Sequence, residues 1–151
     1  DFVTRFISFY LIGYKNYEPE LDNFLNKGMG MINDLSEEDR RKLKKIFIQT
    51  MMLAHKIFGN YAFRKQFEKN EKRKPISKAL FDSWSVILAN LEVHQQSKLL
   101  STKERLVDNF ISLMNEDEDF LKAISQATGS RKNVNIRFEK IKKVIKNTLN
   151  D

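Results

Sequence analysis

The residue types most often used in catalysis are few in this chain and stand in no recognised catalytic spacing. There is no cysteine, and the two histidines, His55 and His94, lie far apart. No serine–histidine–aspartate arrangement with a nucleophile elbow is present, and Gly28-Met29-Gly30 lacks the third glycine of a phosphate-binding loop. We therefore predict no catalytic residue, no metal site and no cofactor, and we do not expect this chain to be an enzyme.

Four consecutive carboxylates occupy residues 116–119, with the sequence Glu-Asp-Glu-Asp. Hard divalent cations prefer several oxygen ligands close together, but the run lacks the spacing and the turn glycine of a calcium loop. Acidic residues at the start of a helix also stabilise its dipole with no ligand bound. The sequence favours this structural role over a cation site or a hydrolase centre.

Basic residues are concentrated in two segments of the chain. The net charge is +7, yet residues 40–78 hold 13 basic and 2 acidic residues, and residues 131–146 hold 7 and 1. Lysine and arginine replace counterions along a phosphate backbone, so nucleic-acid contact needs such charge, although basic helical faces are also common in proteins that do not bind nucleic acid. We define the basic loop as residues 59–75, and the predicted phosphate contacts are Lys65, Lys69, Lys72, Arg73, Lys74, Arg131 and Lys132.

Three aromatic residues are interleaved with these cations, namely Tyr61, Phe63 and Phe67. Aromatic rings beside basic residues can stack on exposed bases. They can equally anchor a loop to the core, and the four-residue separation of Phe63 and Phe67 favours anchoring. Both interpretations stay open from the sequence.

Two arginines are set apart from the predicted phosphate contacts. Arg64 follows an aromatic residue, and Arg137 directly precedes an apolar stripe residue, Phe138. We expect each to pair with an acid such as Asp82 or Glu139 and to brace the fold.

Apolar residues recur every three or four positions along most of the chain, which predicts amphipathic helices. Only two prolines and five glycines interrupt the pattern. The predicted helices cover residues 2–12, 20–32, 36–58, 76–91, 101–114, 118–127 and 133–149, with His94 in a polar connector. Helix 76–91 is apolar around most of its circumference, so it is predicted to be central, with Pro75 at its first turn and Trp84 in the core. The fold class is all-α, an irregular bundle of about seven or eight helices.

The length of 151 residues predicts one helical domain spanning residues 1–151. No run reaches the roughly 18–20 apolar residues of a membrane span, so we expect no membrane contact. The absence of cysteine fits a cytoplasmic location. Because the chain opens on an amphipathic run already under way at Asp1, we expect it to be a fragment of a longer protein.

Three stretches together resemble the C-terminal helical region of the domain-of-unknown-function-262 family, the GmrS-like proteins related to ParB-type nucleases. They are residues 58–64 (FGNYAFR), residues 73–86 (RKPISKALFDSWSV), and Thr128-Gly129 with Val134 and Arg137-Phe138. The likeness spans most of the chain, and the run from Pro75 to Val86 is its specific part. In that family an N-terminal domain carries an Asp-Gly-Gln-Gln-Arg (DGQQR) motif linked to nucleotide hydrolysis and to DNA restriction or phage defence. This sequence has neither that motif nor a His-x-x-Pro nuclease element.

The resemblance implies a non-catalytic helical domain of a bacterial restriction or phage-defence protein that assists DNA binding or subunit contact. The alternative is a purely structural or interaction module, which packs on an N-terminal NTPase or nuclease domain or on a second copy in a homo-oligomer. This alternative predicts an exposed apolar patch on the first helix around Phe6, Phe9 and Tyr10.

Overall fold

The computed structural model describes all residues from 1 to 151 and contains eight α-helices and no strand. The helices are α1 (Phe2–Ile12), α2 (Leu21–Asn33), α3 (Glu37–Phe58), α4 (Lys78–Ala89), α5 (Val93–Ser101), α6 (Lys103–Glu116), α7 (Glu118–Ser125) and α8 (Arg131–Asn150). The predicted all-α bundle is confirmed.

Helix α4 is the centre of the bundle. Every residue from Ala79 to Leu88 is buried, and α4 packs against α1, α3, α7 and α8. Trp84 is 2% exposed, and the rings of Phe58 and Phe110 meet it edge-on at centroid distances of 4.9 and 5.5 Å. Edge-to-face aromatic pairs add to the stabilisation from burial itself. The predicted core position of Trp84 is confirmed.

Short polar side chains fix where several helices begin. The Ser36 hydroxyl accepts a hydrogen bond from the Asp39 amide at 3.1 Å, and Ser130 accepts one from the Asn133 amide at 3.1 Å. Such N-caps satisfy amide groups that have no partner within the helix. Gly59, with a φ of 59°, ends α3 in a conformation that favours glycine.

A buried charge cluster joins three helices. The Asp82 carboxylate on α4 accepts hydrogen bonds from Arg5 Nε and Nη2 on α1 at 2.8 and 2.6 Å. Arg137 Nη2 on α8 lies 3.5 Å from the same carboxylate, and Arg137 Nη1 donates to the Thr128 carbonyl at 2.7 Å. Burial raises the pKa of Asp82, although the positive charges of Arg5 and Arg137 act to lower it. Burial lowers the pKa of Arg137, although the negative charge of Asp82 acts to raise it. The predicted bracing role of Arg137 is confirmed, with Asp82 as its partner.

The start of the central helix differs from the sequence prediction. Helix α4 begins at Lys78 and ends at Ala89, so the predicted range of 76–91 is too long at both ends and Pro75 is not in its first turn. Ile76 instead pairs with Arg64 in an isolated bridge, and the Ser77 amide donates to the Phe63 carbonyl at 2.8 Å. The Ser77 hydroxyl then caps α4, which places the helix start two residues later.

The segment before residue 101 is also corrected. His94 lies in α5 and not in a connector, because Glu92 and Gln95 form a reciprocal capping box that starts this helix. Ser101 ends α5 and does not start α6, since its hydroxyl donates to the Lys98 carbonyl at 2.8 Å. Only Leu99 of α5 is buried, so the apolar stripe was too sparse to predict the helix.

The end of the chain shows two smaller differences. Helix α7 ends at Ser125, two residues before its predicted end. Helix α8 begins at Arg131, so Arg131 and Lys132 occupy its first turn rather than a preceding loop.

The apolar patch predicted on α1 is absent. Phe6 and Phe9 are both 0% exposed, and Tyr10 stacks on Phe6 at a centroid distance of 5.4 Å. These rings face α2, α3 and α8, where Phe24, Phe47 and Phe138 contact them. This part of the interaction-module hypothesis is wrong, because Phe6 and Phe9 are buried within the chain and Tyr10 packs on Phe6.

No helix combines the length and the apolar character that crossing a bilayer requires.

Replacing Asp82 with asparagine is expected to lower the free energy of unfolding by about 3–5 kcal/mol. The substitution keeps the shape but leaves two buried guanidinium groups without a negative partner. Urea unfolding followed by the fluorescence of Trp84, the only tryptophan, measures the loss. Glu38→Gln is the control, because it removes an exposed pair with Lys42 at 3.3 Å and is expected to change stability by less than about 1 kcal/mol. Equal losses in the two variants would contradict the role of the cluster.

Two glycines of α2 allow a second test, in which substitution with alanine is expected to change stability in opposite directions. A Cβ atom on Gly28 would lie 2.7 Å from Ser8 Cβ on α1, whereas one on Gly30 would meet nothing within 4 Å. Gly28→Ala is therefore expected to destabilise the protein by roughly 1–3 kcal/mol through overpacking. Gly30→Ala is expected to stabilise it by about 0.5–1 kcal/mol, because alanine is the better helix former. Thermal unfolding measures both, and shifts of the same sign would disprove the close approach of α1 and α2.

Candidate nucleic-acid interface

The basic loop connects α3 to α4 and lies against α6 and α7. The Asn115 side chain on α6 donates to the Phe67 carbonyl at 2.9 Å. Lys65 Nζ donates to the Ser125 hydroxyl at the end of α7 at 2.8 Å. The loop therefore lies on the surface of the bundle and is attached there to both α6 and α7.

Glu71 organises the interior of this loop. Its side chain is 14% exposed and accepts hydrogen bonds from the amides of Phe67 and Glu68 and from Lys74 Nζ. The hydrogen bond from Lys74, followed by that from the Phe67 amide, holds the pKa of Glu71 below its ordinary value. One carboxylate thus ties both arms of the loop together.

Further hydrogen bonds fix the backbone around Glu71. The Tyr61 hydroxyl donates to the Glu71 carbonyl at 2.6 Å, and Arg64 Nη1 donates to the Lys74 carbonyl at 2.5 Å. Gln66 is 2% exposed and donates to the carbonyls of Glu68 and Lys69 at 3.3 and 3.2 Å. Arg64 therefore braces the loop through a carbonyl and not through the acid predicted from the sequence.

The aromatic residues of the loop act as anchors. Phe63 has a φ of 63°, a left-handed conformation that costs a bulky residue of the order of 1–3 kcal/mol. Its ring packs edge-on against Phe81 at 4.9 Å, which holds this strained backbone in place. Phe67 is half-buried, with Lys74 Nζ above its ring at 5.3 Å. None of these rings is fully exposed for stacking on a base.

The seven predicted phosphate contacts divide according to their partners. Lys69 pairs with Asp108 at 3.0 Å, Arg131 pairs with Glu18 at 3.5 Å, and Lys74 pairs with Glu71. Lys65 is bound to a neutral hydroxyl. Lys72, Arg73 and Lys132 are exposed and have no side-chain partner. The predicted set therefore contains three unpaired cations and four that have a side-chain partner, and three of those partners are acidic.

A second basic surface was not predicted as a site from the sequence. It is a groove between α5 and α8 lined by His94, Lys98, Lys142, Lys143 and Lys146. The only sequence signal was the basic balance of residues 131–146, in which Lys142, Lys143 and Lys146 share one side of a helical pattern. The sequence does not indicate the contribution of α5, because its pattern predicts a polar connector around His94.

Three residues of the acidic run, Asp117, Glu118 and Asp119, lie at the start of α7, the structural position that the sequence favoured, whereas Glu116 ends α6. Asp117 Oδ1 accepts a hydrogen bond from the Phe120 amide at 2.9 Å and caps α7, and Asp117 Oδ2 pairs with Lys140 at 2.8 Å. Burial raises the pKa of Asp117, but the bonds from Lys140 and the Phe120 amide outweigh it and hold that pKa below its ordinary value. The hydrogen bond with the Asp117 side chain raises the pKa of Lys140 above its ordinary value.

The two histidines lie on the surface and are not close to a carboxylate cluster. His55 is exposed on α3, and His94 on α5 has Nδ1 3.3 Å from Glu92. No group of three or more histidine, aspartate and glutamate side chains is arranged to hold a metal ion.

No family model, curated protein or solved structure matches this chain. The resemblance to the domain-of-unknown-function-262 family therefore stays a prediction.

Replacing Glu71 with glutamine is expected to loosen the basic loop. The loss of the negative charge weakens the bonds from Lys74 and from the Phe67 and Glu68 amides, so these amides should exchange their protons at least roughly tenfold faster. Hydrogen exchange followed by NMR measures this rate. Glu68→Gln is the matched control, because the Glu68 side chain is exposed and accepts no hydrogen bond. Equal exchange in the two variants would contradict the organising role of Glu71.

The same contact has a defined pH dependence. Because the pKa of Glu71 is lower in the folded than in the unfolded chain, its stabilisation is complete above the unfolded value of about 4.3. The stabilisation is lost as the pH falls through the lower, folded-state pKa. Amide protection in the loop should therefore be constant from pH 7 to about pH 5 and decrease on further acidification.

Proposed function

We propose that this chain is a non-catalytic helical module that contacts DNA through the basic loop and the start of α8. The observation that carries the proposal is a fixed backbone presenting unpaired cations. Lys72 and Arg73 are adjacent, exposed and free of any acid, on a loop held in place by Glu71, Tyr61 and Arg64. Lys132 adds a third unpaired cation in the first turn of α8.

A rigid loop favours this role on energetic grounds. Binding then orders only the lysine and arginine side chains and does not also fix a flexible backbone, which reduces the entropic cost. Each cation that replaces a phosphate counterion contributes to affinity through counterion release.

The paired cations can also take part. The ion pair of Lys69 with Asp108 and that of Arg131 with Glu18 are largely exposed, and such pairs contribute only about 0–1 kcal/mol each. Exchanging one of these carboxylates for a phosphate therefore costs little. Lys74 is different, because it also stabilises the loop through Glu71, so we expect it to stay in place.

The biological setting is proposed from the resemblance to the domain-of-unknown-function-262 family. It assigns the module to a bacterial restriction or phage-defence protein whose active site lies on another domain. Within the resembling stretches, Trp84, Val134 and Phe138 are core residues here. The likeness therefore concerns residues that build the fold, and the DNA contact rests on the exposed cations alone.

Alanine at Lys72, Arg73 and Lys132 together is expected to weaken binding to duplex DNA and to reduce its salt dependence. Losing three phosphate contacts should lower the slope of log affinity against log salt by about 0.9 for each contact. Fluorescence anisotropy over a salt series measures both quantities, on duplex and on single-stranded DNA. The matched control carries alanine at Arg41, Lys44 and Lys45 of α3, which removes the same charge from exposed positions elsewhere. Absence of binding at low salt, or equal slopes for the two variants, would refute the proposal.

Contact with another protein is the second candidate function. The observation that favours it is an apolar depression between α3 and α5, beside which Met52 and Val93 are 54% and 79% exposed. Subunit contact through these residues does not need the unpaired cations of the loop. It would be the remaining candidate if DNA did not bind.

A further inference from the structure

A long groove on the second basic surface lies between α5 and α8, with the C-terminal end of α4 beneath it. Its volume is about 1080 Å³, and sixteen residues line it. The α8 residues in its lining extend from Phe138 to Asn150, a length of roughly 18 Å at 1.5 Å per residue. The groove is therefore as long as about three turns of a helix.

The floor of the groove is apolar. Val86 and Ile87 of α4 and Phe138 and Ile145 of α8 form its base. Leu91 and Leu149 are half-buried and line it as well. The four base residues are at most 8% exposed, so the apolar surface that a ligand can cover is chiefly that of Leu91 and Leu149, and a phosphate backbone offers no apolar group to cover it.

The rim of the groove is basic and contains no acid. It carries His94, Lys98, Lys142, Lys143 and Lys146, and no aspartate or glutamate is among the sixteen lining residues. Two acids adjoin the rim: Glu139 accepts a hydrogen bond from the Tyr14 hydroxyl at 2.6 Å, and Glu92 lies 3.3 Å from His94 Nδ1. The four rim lysines form no ion pair, so they give the rim a positive charge beside the apolar base.

The cations are distributed along the groove and on both of its walls. Lys142 stands over the Tyr14 ring at 5.5 Å, and Lys98 Nζ on the facing wall donates to the Leu149 carbonyl. The positions of Lys142 and Leu149 are separated by roughly 10 Å along the axis of α8. A single-headed amphiphile such as a fatty acid would meet only one end of this array, whereas a ligand with acids along both sides meets all of it.

We propose that this groove binds an amphipathic helix of a partner protein that carries acidic residues on both flanks of its apolar face. Apolar side chains at positions i, i+3 or i+4, and i+7 lie on the floor, as in other helix-in-groove complexes. Aspartate or glutamate beside them meets the lysines of the two walls, which provides specificity and orientation. The groove and the basic loop use different residues, so this inference does not depend on DNA binding.

Fluorescence anisotropy with a labelled synthetic helix tests the inference on the whole chain. The probe is about 15 residues long, long enough to be helical when bound, with leucines on one face and glutamates on both flanks. We expect saturable binding at micromolar concentration. Charge reversal at Lys142 and Lys146, in the variant Lys142→Glu/Lys146→Glu, should weaken that binding at least about tenfold.

Three controls make the result specific. The variant Lys44→Glu/Lys45→Glu makes the same charge change on exposed positions of α3 and should bind the probe as the unaltered chain does. A peptide of identical composition with scrambled leucines should bind at least about tenfold more weakly, because it lacks the apolar face. Trp84 fluorescence during unfolding confirms that each variant folds.

Three outcomes would overturn the inference. The first is that the acidic helix does not bind. The second is that the scrambled peptide binds equally well, because binding would then depend on charge alone and not on the apolar floor. The third is that duplex DNA, and not the peptide, depends on Lys142 and Lys146. Since the DNA test uses Lys72, Arg73 and Lys132, failure of one proposal is distinguishable from failure of the other.

Discussion

Three helices that are distant in the sequence share one carboxylate from which solvent is excluded. Arg5 of α1 binds Asp82 of α4 through two hydrogen bonds, and Arg137 Nη2 of α8 lies 3.5 Å from the same carboxylate. Removing such charges from water is costly, so the cluster adds little stability compared with well-packed apolar side chains. The cluster nevertheless constrains the relative positions of the three helices strictly, because a shift of any one helix would leave a buried charge unpaired. We infer that the cluster selects this arrangement of α1, α4 and α8 over other packings of the same apolar stripes.

The surfaces of the molecule follow from that arrangement. Arg137 also donates to the Thr128 carbonyl, and the Tyr17 hydroxyl donates to the Gly129 carbonyl at 2.6 Å. The connection between α7 and α8 is thereby fixed to the buried cluster. This connection determines where α8 begins and so where Lys132 is exposed. It also sets the rotation of α8, which places Phe138 in the core and its outer lysines beside α5.

Local signals in the sequence were sufficient for the strongly amphipathic helices. The stripe of Val134, Phe138, Ile141 and Ile145 is buried as its spacing predicts, and α1 has the predicted bounds. The prediction failed where tertiary contacts decided the structure. Because Ile76 pairs with Arg64, α4 starts at Lys78 and not at the predicted residue 76. The local sequence contains no signal for a bridge between the two ends of a loop. Arg5 was unrecognisable as a core residue, because its partner is distant in the sequence and an arginine in an amphipathic helix is ordinarily exposed.

Charge composition located both basic regions but did not distinguish what each can bind. In the basic loop, acids alternate with cations, and the sequence cannot reveal that Lys69 reaches Asp108 or that Glu71 faces inward. In the groove, no acid is among the lining residues, and the adjacent Glu139 and Glu92 contact Tyr14 and His94. An unpaired cation over polar surface suits a phosphate, which needs only charge, whereas cations over an apolar floor suit a ligand with both acidic and apolar groups. The expected ligand of each basic region therefore depends on which groups surround its lysines, and those surroundings are determined by the tertiary fold.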